Sequence, residues 1–188
     1  MLQEHQKYIR MVREEGESCA AYLTINALIG ELEFPSSEIF YYEQERFRFP
    51  VDVSMNVEIV SNRNALTTVR NKKKELNDLD EHAYESGADT DNSVVEALMD
   101  VDELEKDLGR TKESMYKLSY VVRIAAESEE ELERRIAEVR DYYENDFNIK
   151  LVRPFGDMIG FHEEFIPSGS RYENDYIQYV KADCLAGL

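Results

Sequence analysis

The chain has 188 residues and a mass of 22.0 kDa, enough to bury a core without disulfides or a structural metal. A content of 43% hydrophobic and 11% aromatic residues excludes a wholly disordered chain. Its 40 acidic against 22 basic residues give a net charge of −18, the wrong sign for phosphate, so no direct nucleic-acid binding is expected.

Two cysteines, Cys19 and Cys184, are too few for a disulfide framework and fit a reducing compartment. The most apolar stretch, Cys19–Ile29, is eleven residues long and contains Thr24 and Asn26, whereas a spanning helix needs about 20 apolar residues. The N-terminal residues are polar and lack the apolar core of a signal peptide. The expectation is a soluble, cytoplasmic chain.

In chain order, residues 4–15 read as a helix and Ala20–Glu31 as a weakly polarised strand. Pro35-Ser36-Ser37 opens a short segment, Glu38–Glu45, read as helical. Val51–Val60 alternates cleanly, with Val51, Val53, Met55, Val57 and Ile59 on one side and Asp52, Ser54, Asn56 and Glu58 on the other. That period of two predicts a strand with one buried face.

Ser61 is placed to cap a helix in which Leu66, Val69, Leu76, Leu79 and Ala83 recur. A polar turn, Ser86–Asn92, leads to a second helix with Val94, Leu98, Val101, Leu104 and Leu108 on one stripe and Gly109 as its stop. Residues 61–110 therefore read as an inserted antiparallel helical hairpin. Its charge is uneven. Residues 61–74 carry five bases and no acid, while residues 75–107 carry thirteen acids and one lysine, Lys106, a net twelve negatives. Two readings stay open here: a solvated face kept soluble by charge, and a docking arm for a basic partner through Asp100, Asp102 and Glu103.

Met115–Ala125 is the second alternating strand. Ser128 and Glu131 form a capping box for a helix over residues 128–146 with Leu132, Ile136, Val139 and Tyr143 on its stripe. Asn148–Val152 follows as a further strand, completing a βαβ unit of ferredoxin-like type. The fold class is thus α+β: a mainly antiparallel sheet with helices on one face and a protruding hairpin. In residues 167–188, Tyr172, Tyr176, Tyr179, Val180 and Leu185 suggest either a bland surface segment or a contact with another domain.

The chemistry-bearing motifs are mostly missing. No GxxxxGK[ST] or GxGxxG occurs among the eight glycines, so the usual phosphate cradle is not encoded. Cys19 lies in an apolar strand and Cys184 beside Asp183, neither setting favouring a thiolate. The Asp89–Ser93 run echoes a calcium loop, but Val94 stands where such a loop needs glycine. Asp157 and His162, with Glu163 and Glu164, would be the centre of an alternative, a carboxylate- or metal-dependent hydrolase, although five residues on a helix turn the two apart. No catalytic, cofactor or metal residue is assigned.

Several stretches, taken together, carry a resemblance: SCAAYLTINALIGELEFPSSEIFYY, FRFPVDVSMNVEIV, KKKELNDLDEHA, YVVRIAAESEEELERRI and VRPFGDMIGFHEEFIPSGSRYENDYIQYVKADCLAGL. The series resembles the large conjugal-transfer ATPases of type IV secretion systems, the CagE/TrbE/TraE family, most closely those of Gram-positive conjugative elements. Its most specific pieces are Phe49–Val60, the RPFGD of Arg153–Asp157 and the ending after Phe165. The resemblance implies a single N-terminal α+β domain, 1–188, whose last residues, 167–188, lead toward an ATPase domain further along. ATP and magnesium would bind that domain, not this one. It also implies partners: the family's own ATPase domain, other subunits of the secretion channel and copies of itself, at the inner face of the membrane. The competing reading is a self-standing acidic regulator or a mimic of nucleic-acid charge.

Overall fold

The computed structural model describes residues 1–14, 16–26, 45–85, 92–167 and 175–186. Its architecture is α+β, an antiparallel sheet with helices packed on it. Among the described residues, β1 (Leu2–Glu4), β2 (Ile9–Arg13), β3 (Gly16–Ile25), β4 (Val51–Val60), β5 (Met115–Ala126), β6 (Leu151–Val152) and β7 (Gln178–Val180) form one sheet. The order is β1-β2-β3-β5-β4. β6 adds to β3 beyond the end of β2, and β7 adds to β5 beyond the end of β3.

β4 and β5 occupy the ranges that their alternation predicts, with β5 one residue longer, and pair from Val51↔Ile124 to Val60↔Met115. The βαβ unit is present as well. β5 and β6 are both antiparallel to the intervening β3, hence parallel to each other, and the helix between them spans Glu129–Phe147. The Ser128 side chain accepts from the Glu131 backbone N–H at 3.2 Å, as a cap should. The Glu131 carboxylate does not close the box; it is held by Arg135 at 3.0 Å. Leu132, Ile136, Val139, Tyr142 and Tyr143 of this helix pack on Leu23, Ile25, Leu118, Tyr120, Val122 and Ile124 to make the main core.

The opposite face of the sheet receives a shorter cover. Ile9, Tyr22 and Val121 are packed by Met158 and Phe161 of a one-turn helix, Met158–Glu163. The RPFGD stretch places that turn. Arg153 grips Glu133 through both guanidinium nitrogens, at 2.7 and 3.0 Å. Gly156 (φ 83°) and Asp157 (φ 53°) then reverse the chain, and the Gly156 N–H donates to the Gln6 carbonyl at 2.7 Å.

One expectation is corrected. Residues 4–15 do not form a helix: β1 and β2 make an antiparallel hairpin, and Ile9↔Ala20 to Arg13↔Gly16 extend the sheet. Tyr8 enters the main core and Ile9 the opposite one, so this segment is anchored on both faces of the sheet, which a helix could not do. Within residues 167–188, the described part supplies β7 and a short helix, Ala182–Ala186. Residues 38–44 of the expected short helix, the end of the Ala20–Glu31 strand beyond Asn26 and most of the 86–92 turn lie outside the described residues.

Candidate functional site

The connection between β4 and β5 is the feature that carries most charge. Two helices, α1 (Asn62–Glu85) and α2 (Asn92–Thr111), span about 36 and 30 Å at 1.5 Å per residue and leave the sheet where Val60 and Met115 end their ladder. Ala65, Val69 and Leu76 of α1 meet Ala97, Val101, Leu104 and Leu108 of α2 in a dry seam continuous with Val60 and Met115. At its base, the Asn62 amide donates to the carbonyls of Leu108 and Glu113 at 2.9 and 2.7 Å. Gly109 does not stop α2. The helix runs on to Thr111 and ends where Lys112 adopts a left-handed φ of 61°. Leu79, placed on the apolar stripe by its spacing, is 57% exposed.

Two bases near the start of α1, Arg70 and Lys73, are engaged within the hairpin. Arg70 bonds Glu105 at 2.7 Å, and Lys73 reaches both Asp102 and Glu105. These contacts lower the Asp102 and Glu105 carboxyls below their ordinary range, by the Lys73 bond at Asp102 and first by Arg70 at Glu105. Asp107 is likewise lowered by bonds from Lys181, at 2.9 Å, and Arg110, at 3.2 Å. Lys181 thereby ties the end of β7 to α2.

This sorts the residues singled out by sequence. Asp102 is an internal ion-pair partner of the hairpin. Asp100 and Glu103 are exposed, and neither makes an ion pair among the described residues. They border an open groove of about 600 Å³ with Leu104, Lys106, Asp107, Arg110 and Lys181. Tyr179 and Leu185 are half-buried inside the chain itself, Tyr179 against the hairpin seam and Leu185 against the main core. Sequence reasoning missed Met99, which is 67% exposed between Glu96 and Asp100. Its signal was present: it lies about 200° around the helix from the Ala97 side of the seam.

The second cluster lies beneath the one-turn helix. The Tyr22 hydroxyl is 2.7 Å from His162 Nδ1, and Glu164 accepts from Ser119 Oγ at 2.8 Å and from Asn56 Nδ2 at 3.3 Å. Ser54 Oγ donates to the Glu164 carbonyl at 3.0 Å. Burial pushes Tyr22 up to about 12, while burial and then the Arg123 charge lower His162. Both groups are therefore neutral near pH 7. Asp157 is an exposed turn residue whose side chain caps nothing. Among the described residues, no group of three or more His, Cys, Asp or Glu is placed to hold a metal ion. What this arrangement does is dock residues 158–164 onto the sheet. Cys19 is buried and Cys184 half-buried, both as free thiols.

No helix among the described residues is long and apolar enough to cross a membrane. The chain matches no known protein-family description and no curated protein.

Proposed function

We propose that this chain is a non-catalytic docking module of a conjugative DNA-transfer ATPase of type IV secretion, and that the outward face of α2 is its contact surface. The observation that carries the reading is Met99, 67% exposed and flanked by Glu96, Asp100 and Glu103, on a hairpin in which Arg70 and Lys73 are already engaged internally. An apolar anchor inside a rim of free carboxylates fits a partner surface with an apolar pocket and basic borders. The family assignment rests on the sequence resemblance.

On this reading the partners are channel subunits, the ATPase domain further along and other copies of the chain, at the inner membrane face. ATP and magnesium belong to the ATPase domain. A stand-alone acidic regulator is the second reading, favoured by the same free carboxylates. Transfer frequency of an element carrying Asp100→Lys with Glu103→Lys is the test. The first reading predicts a fall in transfer at unchanged protein level; normal transfer contradicts it. It also predicts that the reading frame continues past Leu188 to a GxxxxGK[ST] loop.

A further inference from the structure

We infer that β4 is a self-association edge, on which a second copy of this chain pairs antiparallel about a two-fold axis at Asn56. β4 is hydrogen-bonded along all ten residues to β5, and among the described residues no strand pairs with its other side. Its apolar row was expected to be buried, yet only Val51 and Val53 reach the main core; Met55, Val57 and Ile59 are 41, 44 and 69% exposed. A long edge strand with an uncovered apolar row is an open template for another strand, and proteins that keep one use it or blunt it.

Among registers that match odd with odd residues, axes at Met55 and Asn56 overlap the most of β4, and of these two only the one at Asn56 opposes no like charges. Antiparallel partners share a face, so only registers matching odd with odd residues keep the apolar row continuous. An axis at Asn56 sets Val53 opposite Ile59 and Met55 opposite Val57, with Ser54 opposite Glu58 and Asp52 opposite Val60. Moving the axis to Met55 would oppose Asp52 to Glu58, a like-charge pair that costs stability.

Electrostatics permit the contact despite a net charge of −18. Asp52 is neutralised by Arg123 at 3.4 Å, and Glu58 lies across from Lys117 in the ladder with β5. Because the hairpin leaves the Val60 end of β4, antiparallel pairing sends the two acidic hairpins to opposite ends of the joined sheet. The result is an isologous dimer with one sheet running through both copies. This inference stands independently of the assignment to a transfer ATPase.

Sedimentation of the whole chain tests it. The wild type is expected to sediment as a dimer, and Ile59→Lys and Val57→Lys, both altering exposed side chains, as monomers with an unchanged circular dichroism spectrum. The register is read by oxidation. Opposed residues lie about 4.5–5.5 Å apart between Cα atoms, within disulfide reach, so Asn56→Cys should cross-link to a covalent dimer. Glu58→Cys, which faces Ser54, and the wild type with its two native cysteines should not. A monomeric wild type well above micromolar concentration, a dimer that survives both lysine substitutions, or cross-linking of Glu58→Cys as readily as Asn56→Cys would each overturn the inference.

Discussion

The Tyr22 hydroxyl, on the central strand β3, is hydrogen-bonded to Nδ1 of His162 at 2.7 Å, joining two residues 140 positions apart. Burial, and then the charge of Arg123, keep this imidazole neutral by lowering its pKa. The unfolded chain therefore takes up this proton at higher pH than the folded one. Stability from neutral His162 is complete above the ordinary histidine value of about 6.5 and is lost as pH falls from there through the lowered folded value.

The melting temperature should accordingly drop as pH falls below about 6.5, and His162→Gln should flatten that part of the profile. Identical slopes in the two proteins would show that His162 is not the titrating group. The carboxylates lowered by lysine and arginine, Asp102, Glu105 and Asp107, act in a separate, more acidic window. Their contribution is lost only as pH falls below the usual carboxylate range.

Backbone geometry gives two predictions of opposite sign. Lys112 ends α2 in a left-handed conformation that costs a side-chain-bearing residue about 1–2 kcal/mol, so Lys112→Gly should raise stability by about 1 kcal/mol. Gly156, at φ 83°, has open space around it but the wrong backbone for a side chain. Gly156→Ala should cost roughly 1–2 kcal/mol by strain alone. Urea unfolding of the two variants, with an unchanged slope, checks both.

The helix Glu129–Phe147 offers a graded pair. Ser128→Ala removes its N-terminal cap and should cost about 0.5–2 kcal/mol. Leu132→Ala, at a fully buried position one turn inward, should cost about 2–5 kcal/mol because a cavity remains. A cap loss larger than the core loss would mean that the helix is not held by its packing on the sheet.

Much of this fold is readable locally because its pattern is one-sided. β4 and β5 alternate, and Leu132, Ile136, Val139 and Tyr143 share one stripe; the elements fall where the periods put them. Residues 4–15 failed because Tyr8 and Ile9 are buried on opposite faces of the sheet, which removes the polar side that identifies a strand. The Glu164 cluster was also invisible. Its partners, Ser54, Asn56 and Ser119, lie 45 to 110 positions away, and nothing near Glu164 in sequence announces them. The charge asymmetry of the hairpin was legible, but the sharing of that charge was not. Lys73 takes Asp102 out of the candidate contact surface and leaves Asp100 and Glu103 in it.

The central claim is that the outward face of α2 recognises a partner in the transfer apparatus. The most direct measurement is a titration of the whole chain against the channel subunits encoded with it, comparing wild type with Asp100→Lys/Glu103→Lys. The account predicts binding at least about tenfold weaker for the variant, with the difference shrinking as salt is raised. Equal affinities at low salt, from two equally folded proteins, would contradict it.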